Sequence, residues 1–254
     1  MSIGITAMGL LVGFLVGLTG VGGAALLTPI LIVAGIHPAI AVGTDLVYNA
    51  ITKFFGTIQH YRQKTINLKL VKYLAMGSVP GAVIAIGILH TFNAVFHNQE
   101  QIIKHALGYV LILVAVATLF RTFFDKKIKE TRWALKPLED KRSLTIVIGA
   151  VLGFIVGLTS IGSGSLFALA MLYLYRMVAS ELVGTDIAHA FILVTVAGIL
   201  HAGLGNVDYL LVGNLLTGSI PGVLIGSALS AKLPTKPLRA VVSAIIFVSG
   251  LKLI

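Results

Sequence analysis

Two stretches of this chain, 140 residues apart, are near copies of each other. Gly13–Gly23 reads GFLVGLTGVGG and Gly153–Ser163 reads GFIVGLTSIGS, with seven of eleven positions identical. The register continues with one added residue. Val42–Asp45 and Val183–Asp186 both read VGTD, His60 matches His201, and GSVPG at Gly77–Gly81 matches GSIPG at Gly218–Gly222. Apolar composition alone produces scattered Leu and Val matches, but not Asp, His and Pro matches in one register. The chain is a duplication and must fold as two related halves.

Each half contains five apolar segments. They run at 3–18, 24–36, 41–60, 70–89 and 102–120, then at 144–159, 165–175, 183–202, 209–230 and 238–254. Only 11% of the 254 residues are charged and 57% are hydrophobic, with a mean hydropathy of +1.00. A soluble domain carries about 25% charge. Apolar runs separated by charged gaps predict transmembrane helices, which need about 20 residues each. The second segment of each half is too short: at 1.5 Å per residue it covers roughly 16–20 Å of a ~30 Å hydrocarbon layer. Each follows a Gly-rich break, and the first also carries Pro29. A re-entrant hairpin is the favoured reading, with a full span as the alternative. The N-terminal segment lacks a basic leader and recurs in mid-chain, so it reads as mature structure rather than a signal peptide.

Charge gives the orientation. Eight Lys/Arg lie between Arg121 and Arg142 and four between Arg62 and Lys72. Placing these loops in the cytoplasm puts His90–Gln101 and Ala202–Asp208 outside and brings every basic loop to one face. The two halves then have opposite topology. The predicted fold is an all-α integral membrane protein of two inverted-topology repeats with short broken or re-entrant helices. Residues 1–124 form the first repeat, 125–142 a basic cytoplasmic connector and 143–254 the second repeat. The net charge of +10 follows this loop pattern and does not indicate nucleic acid. Cysteine is absent, which excludes disulfides, thiol catalysis and thiolate metal sites.

Matched short, interrupted segments point to the binding site of an inverted-repeat transporter. The first break is Thr19, Gly20, Val21, Gly22 and Gly23; the second is Thr159, Ser160, Ile161, Gly162, Ser163, Gly164 and Ser165. The unpartnered amides at the start of the short helices suit an anion, and the second break adds hydroxyls. Close helix packing through small residues is the competing reading. Asp45 and Asp186, with Thr44 and Thr185, begin the third segments, where they serve either as helix caps or as coupling and gating groups. Lys53 is the one basic residue well inside an apolar segment; its counterpart is Val194. It could attract an anion, or pair with a carboxylate or carbonyl. Asn49 shares a helical face with Asp45 and Lys53, and His189 follows Asp186 at i+3. His60 and His201 are expected at the interface, and Ser78/Pro80 and Ser219/Pro221 at helix kinks.

No HExxH, GxxxxGK[ST] or GxSxG motif is present, and the run at Gly20 lacks the strand–helix context of a dinucleotide site. No enzyme, metal or cofactor is expected. The two GF[LI]VGLT copies, the VGTD pair and the GS[VI]PG pair resemble the sulfite exporter TauE/SafE family across essentially the whole chain. That resemblance implies a multi-pass transporter of the cell inner membrane. It further implies export of a small sulfur oxyanion, sulfite or an organosulfonate. Related thiosulfate uptake proteins look built around cysteines, which this chain lacks. Substrate would bind at the midplane, and Asp45 or Asp186 would couple protons. A passive anion channel on the same frame, or a transporter of another small anion, is the alternative. The expected partners are the anion and the bilayer, with proton coupling and a homodimer as further expectations and no nucleic acid.

Overall fold

The computed structural model of the chain describes residues 3–19, 24–96, 99–124, 136–162, 164, 166–230 and 235–254. Among these residues there are ten α-helices and no strands. The first five are α1 (Ile3–Thr19), α2 (Ala24–Val33), α3 (Pro38–Arg62), α4 (Leu68–Phe96) and α5 (Gln99–Phe124). The second five are α6 (Arg142–Thr159), α7 (Leu166–Leu174), α8 (Ala179–Gly203), α9 (Tyr209–Ser230) and α10 (Thr235–Leu253). Each apolar segment has become one helix. A backbone in lipid must satisfy its polar groups internally, and a helix does so within one segment.

Five helices are long and apolar enough to cross a membrane, within α4, α5, α6, α8 and α9. The 25 residues of α3 are also long enough, but Asp45, Asn49 and Lys53 interrupt its apolar character. The second helix of each half is short, with 10 residues in α2 and 9 in α7. They rise only about 14–15 Å. The outer surface is apolar: Ile3, Phe55, Ile199, Leu210 and Leu224 are exposed. The interior buries Asp45, Asn49, Asp186, His189 and His201. Polar groups inside and apolar groups outside suit a chain dissolved in lipid.

The helices pair across the halves. α1 packs on α9, α4 on α6, α5 on α10 and α3 on α8. Glycine sets the first two contacts. A Cβ at Gly9 or Gly13 would lie 2.5 Å from the carbonyl oxygen of Leu215 or Ser219. At Gly149 and Gly153 it would lie 2.5 and 2.2 Å from those of Leu74 and Ser78. The answering glycines are Gly218 and Gly222 on α9, and Gly77 and Gly81 on α4. These four fall in the GS[VI]PG pair. α4 and α9 run on through Pro80 and Pro221, so this motif makes helix contacts. Small residues allow backbones to approach, the main source of helix association where lipid removes the hydrophobic drive.

α1 and α9 run parallel, as do α4 and α6, whereas α3 and α8 cross antiparallel. Along that crossing Gly198 packs on Val47, Phe54 on Phe191 and Gly56 on Ile187.

Candidate functional site

The polar centre is built on α3 and α8. α3 begins at Pro38 and α8 at Ala179, earlier than the apolar runs suggest; in α3 the proline suits the first helical turn. Asp45 and Asp186 therefore sit two turns inside their helices. His37 and Val178 occupy the N-cap positions, without side-chain capping bonds. The capping alternative for the two aspartates is thus overturned.

Asp45 is fully buried and gathers donors from three parts of the fold. Thr28 of α2 donates to Oδ2 at 2.8 Å. Ser160, just after α6, donates to the same oxygen. Asn49 donates through Nδ2 to Oδ1 at 2.8 Å and to the Asp45 carbonyl at 2.9 Å. A buried carboxylate is tolerated only when so satisfied. Ser160 reaches it because it ends α6 in the left-handed region, with φ 63°, while its N–H still bonds the Val156 carbonyl. Thr159 donates its hydroxyl to the Ile155 carbonyl at 2.7 Å and accepts the Ile161 N–H at 3.2 Å. The hydroxyls of Thr159 and Ser160, expected to face an anion, are therefore engaged inside the protein. Ile161 is buried, and Gly162 turns the chain at φ +105°. Gly164 is a turn residue, and Thr19 ends α1. Gly20, Val21, Gly22, Gly23, Ser163 and Ser165 lie outside the described residues.

Thr44 and Thr185 make matched contacts. Thr44 Oγ1 accepts the Asp208 N–H at 3.1 Å, and Thr185 Oγ1 accepts the Asn67 N–H at 3.0 Å. Asn67 and Asp208 in turn accept the N–H groups of Leu70 and Leu211, capping α4 and α9. The preceding glycines bring the backbones together. A Cβ at Gly43 would lie 2.0 Å from the Asn206 carbonyl oxygen, and one at Gly184 2.6 Å from that of Thr65. The Gly-Thr of VGTD thus pins each third helix to the other half's loop.

Lys53 is half-buried at the α3–α8 crossing. Its positive charge bears on Asp186 and Asp45. His189 also senses it. The His189 ring lies 4.3 Å from that of Phe167, and Nε2 is 2.8 Å from Ser78 Oγ. The counterparts of this pair, Tyr48 and Ser219, also face each other. His201 is 2% exposed and points Nε2 at the Gly157 carbonyl, 3.3 Å away. It is therefore buried at α6 instead of interfacial, because α8 packs its last turns into the fold. His60 is half-buried, with Nδ1 2.8 Å from Thr65 Oγ1.

The structure thus brings Asp45, Asn49, Lys53, Ser160, Asp186 and His189 around one helix crossing. Sequence reasoning missed Thr28, Asn67 and Asp208, and read Ser78 only as part of a helix kink and not as a partner of His189. Thr28 had a signal, as the one hydroxyl in the apolar run of α2. Asn67 and Asp208 had another, as matched polar residues just before the fourth segments.

Comparison with known proteins covers the whole chain. The family model described as sulfite exporter TauE/SafE matches residues 5–253. The Bacillus subtilis protein named probable membrane transporter protein YjnA is 68% identical over the full length of both chains. The same organism's probable membrane transporter protein YunE is 25% identical, covering 98% of this chain and 96% of that one. The Methanocaldococcus jannaschii protein MJ0441, also named a probable membrane transporter, is 26% identical over 96% and 92%. No solved structure matches.

Proposed function

The chain belongs to the sulfite exporter TauE/SafE family, and from that premise we propose that it is a secondary transporter of a small sulfur oxyanion, sulfite or an organosulfonate, in the cell inner membrane. The family is one of exporters, and the relatives are named as probable membrane transporters. One observation supports the anion: a single lysine stands inside the polar centre where the sequence-equivalent helices α3 and α8 cross. An intramembrane ionisable group marks a substrate or ion pathway by default.

In this reading the anion binds beside Lys53, between halves of inverted topology. The short helices α2 and α7 re-enter the layer and direct their N-terminal amides towards the same region. Rocking of one half against the other exposes the site alternately. The glycine-tight pairs α1–α9 and α4–α6 are the rigid parts of that motion. Counterflow in proteoliposomes tests the reading. Labelled sulfite or isethionate (a sulfonate) should enter vesicles preloaded with the unlabelled anion, at a saturable rate. Absence of counterflow for both anions would overturn the substrate assignment.

A further inference from the structure

Thr28 of α2, Asp45 and Asn49 of α3, and Ser160 at the end of α6 form one buried cluster. Thr28, Asp45 and Ser160 are 0% exposed and Asn49 is 4% exposed. Thr28 and Ser160 bring their hydroxyls to the same carboxylate oxygen, Asp45 Oδ2, Thr28 at 2.8 Å. Asn49 holds the other oxygen at 2.8 Å and the backbone carbonyl of residue 45 at 2.9 Å. Three side-chain oxygens from three separate elements thus meet at one corner of the carboxylate. A hydroxyl carries one hydrogen and two lone pairs. Thr28 and Ser160 can therefore donate to Asp45 and still each offer a lone pair to a further group.

The charge of this cluster is one-sided. Every donor to Asp45 is neutral, and among the described residues no cationic side chain lies within ion-pair distance of it. Ser160 is also the C-cap of α6, a helix of 18 residues. The negative end of that helix dipole therefore lies against the carboxylate. Burying the two together favours a positive charge between them. In transporters of inverted repeats, the C-terminal ends of broken helices are where small cations are held. The repeat adds a second observation. The positions matching Thr28, Asn49 and Ser160 are Ala168, Ala190 and Gly20, none with a side-chain oxygen. Thr44 and Thr185, which pin the frame, occur in both halves. The oxygens around Asp45 are thus an addition to one half and not a part of the shared frame.

We propose that Asp45 Oδ2, Thr28 Oγ1 and Ser160 Oγ are ligands of a monovalent alkali-metal cation, sodium or potassium, with Asn49 as the positioning residue that keeps the carboxylate turned towards the two hydroxyls. The donor set selects the class. Carboxylate and hydroxyl oxygens suit a hard cation, whereas transition metals prefer imidazole or thiolate. Divalent calcium is usually held by several carboxylates. Here there is one, and among the described residues no three His, Asp or Glu gather anywhere. One carboxylate and one monovalent ion leave the cluster neutral, which a membrane interior favours. The ion ties the short helix α2 and the end of α6 to α3. The site is distinct from Lys53, which lies eight residues further on, about 12 Å along α3, and it needs no anion.

The full chain in detergent tests this with no substrate present, so the result is separate from that of counterflow. Its unfolding temperature is measured in sodium, potassium and choline chloride at one ionic strength, and bound labelled sodium by equilibrium dialysis. Sodium or potassium should raise the unfolding temperature saturably above choline, because a ligand of the folded state stabilises by mass action. The salt that does so identifies the ion. Ser160→Ala and Thr28→Val should raise the half-saturating concentration at least about tenfold. Thr28→Ser, which keeps the oxygen, should stay near the wild-type value, separating a lost ligand from lost packing. Asp45→Asn should lose the response; where it does not fold, the hydroxyl variants and Thr28→Ser decide. One unfolding temperature in all three salts, with no sodium bound, overturns the site. A wild type that responds to pH but to neither cation also overturns it, since a proton then neutralises Asp45. Unchanged half-saturation in both Ser160→Ala and Thr28→Val places the ion elsewhere and overturns the assignment.

Discussion

The Asp45 carboxylate accepts from three side chains. Removing its side chain leaves Thr28 and Ser160 as buried donors without that acceptor, and Asn49 with only the backbone carbonyl of residue 45. Hydrogen bonds to charged groups contribute about 1.5–3 kcal/mol each, and an orphaned buried donor costs about 1–3 kcal/mol. Asp45→Ala is expected to destabilise the detergent-solubilised protein by at least about 3 kcal/mol, read as a loss of thermal unfolding temperature. An unchanged unfolding temperature would show that the cage does not hold α2 and α6 in place. Lys53→Ala is expected to act differently, through the substrate. It should raise the half-saturation concentration at least tenfold, about 1.4 kcal/mol, with little change in unfolding temperature. The residues of this cluster were legible as a polar set, but not their roles. Asp45, Asn49 and Lys53 share a helical face, which spacing reveals. That Ser160 turns inward to Asp45 depends on a left-handed backbone and a contact across 115 residues, which no local pattern encodes. Lys141 is a similar case. It reads as one of eight basic connector residues, yet it is 2% exposed.

At the scale of elements, Lys141 fastens the end of a short helix. Its Nζ donates to the Leu174 carbonyl at 2.9 Å and lies 4.5 Å above the Tyr175 ring, whose hydroxyl bonds Thr145. A cation at a helix C-terminus satisfies a free carbonyl and complements the dipole. Lys141→Met should destabilise the protein by about 1–2 kcal/mol and expose the end of α7 to hydrogen exchange first. Equal protection of α7 in both proteins would contradict this role. The glycine contacts make a sharper test. Gly153→Val drives a side chain into the Ser78 backbone, whereas Gly87→Val meets nothing within 4 Å. The first should cost about 2 kcal/mol or more and the second far less, by unfolding in detergent. Equal losses would mean that α4 and α6 are not held at backbone contact. Both glycines lie in apolar helices, so periodicity does not distinguish them. The duplication does, since Gly153 matches Gly13 and both meet a partner helix.

At the scale of the molecule, repeat and loop charge gave the ten segments and their proposed topology. The pairing of each half's helices with the other's was not legible. It follows from glycine rows meeting across the halves, a long-range match between surfaces. The absence of cysteine makes topology easy to test. A cysteine at Lys64 should react with an impermeant reagent from the cytoplasmic side, and one at Leu204 from outside. Labelling of both from one side would contradict the inverted arrangement.

Alternating access around Lys53 has a consequence that vesicles can read, accumulation of a small sulfur oxyanion. The most direct measurement is concentrative uptake of labelled sulfite or isethionate into proteoliposomes under a proton gradient, wild type beside Lys53→Ala. Saturable accumulation above the equilibrium level is expected in the wild type, and its loss at the same concentration in Lys53→Ala. Equilibration without accumulation would indicate a passive channel, and equal accumulation by both proteins would remove Lys53 from the site.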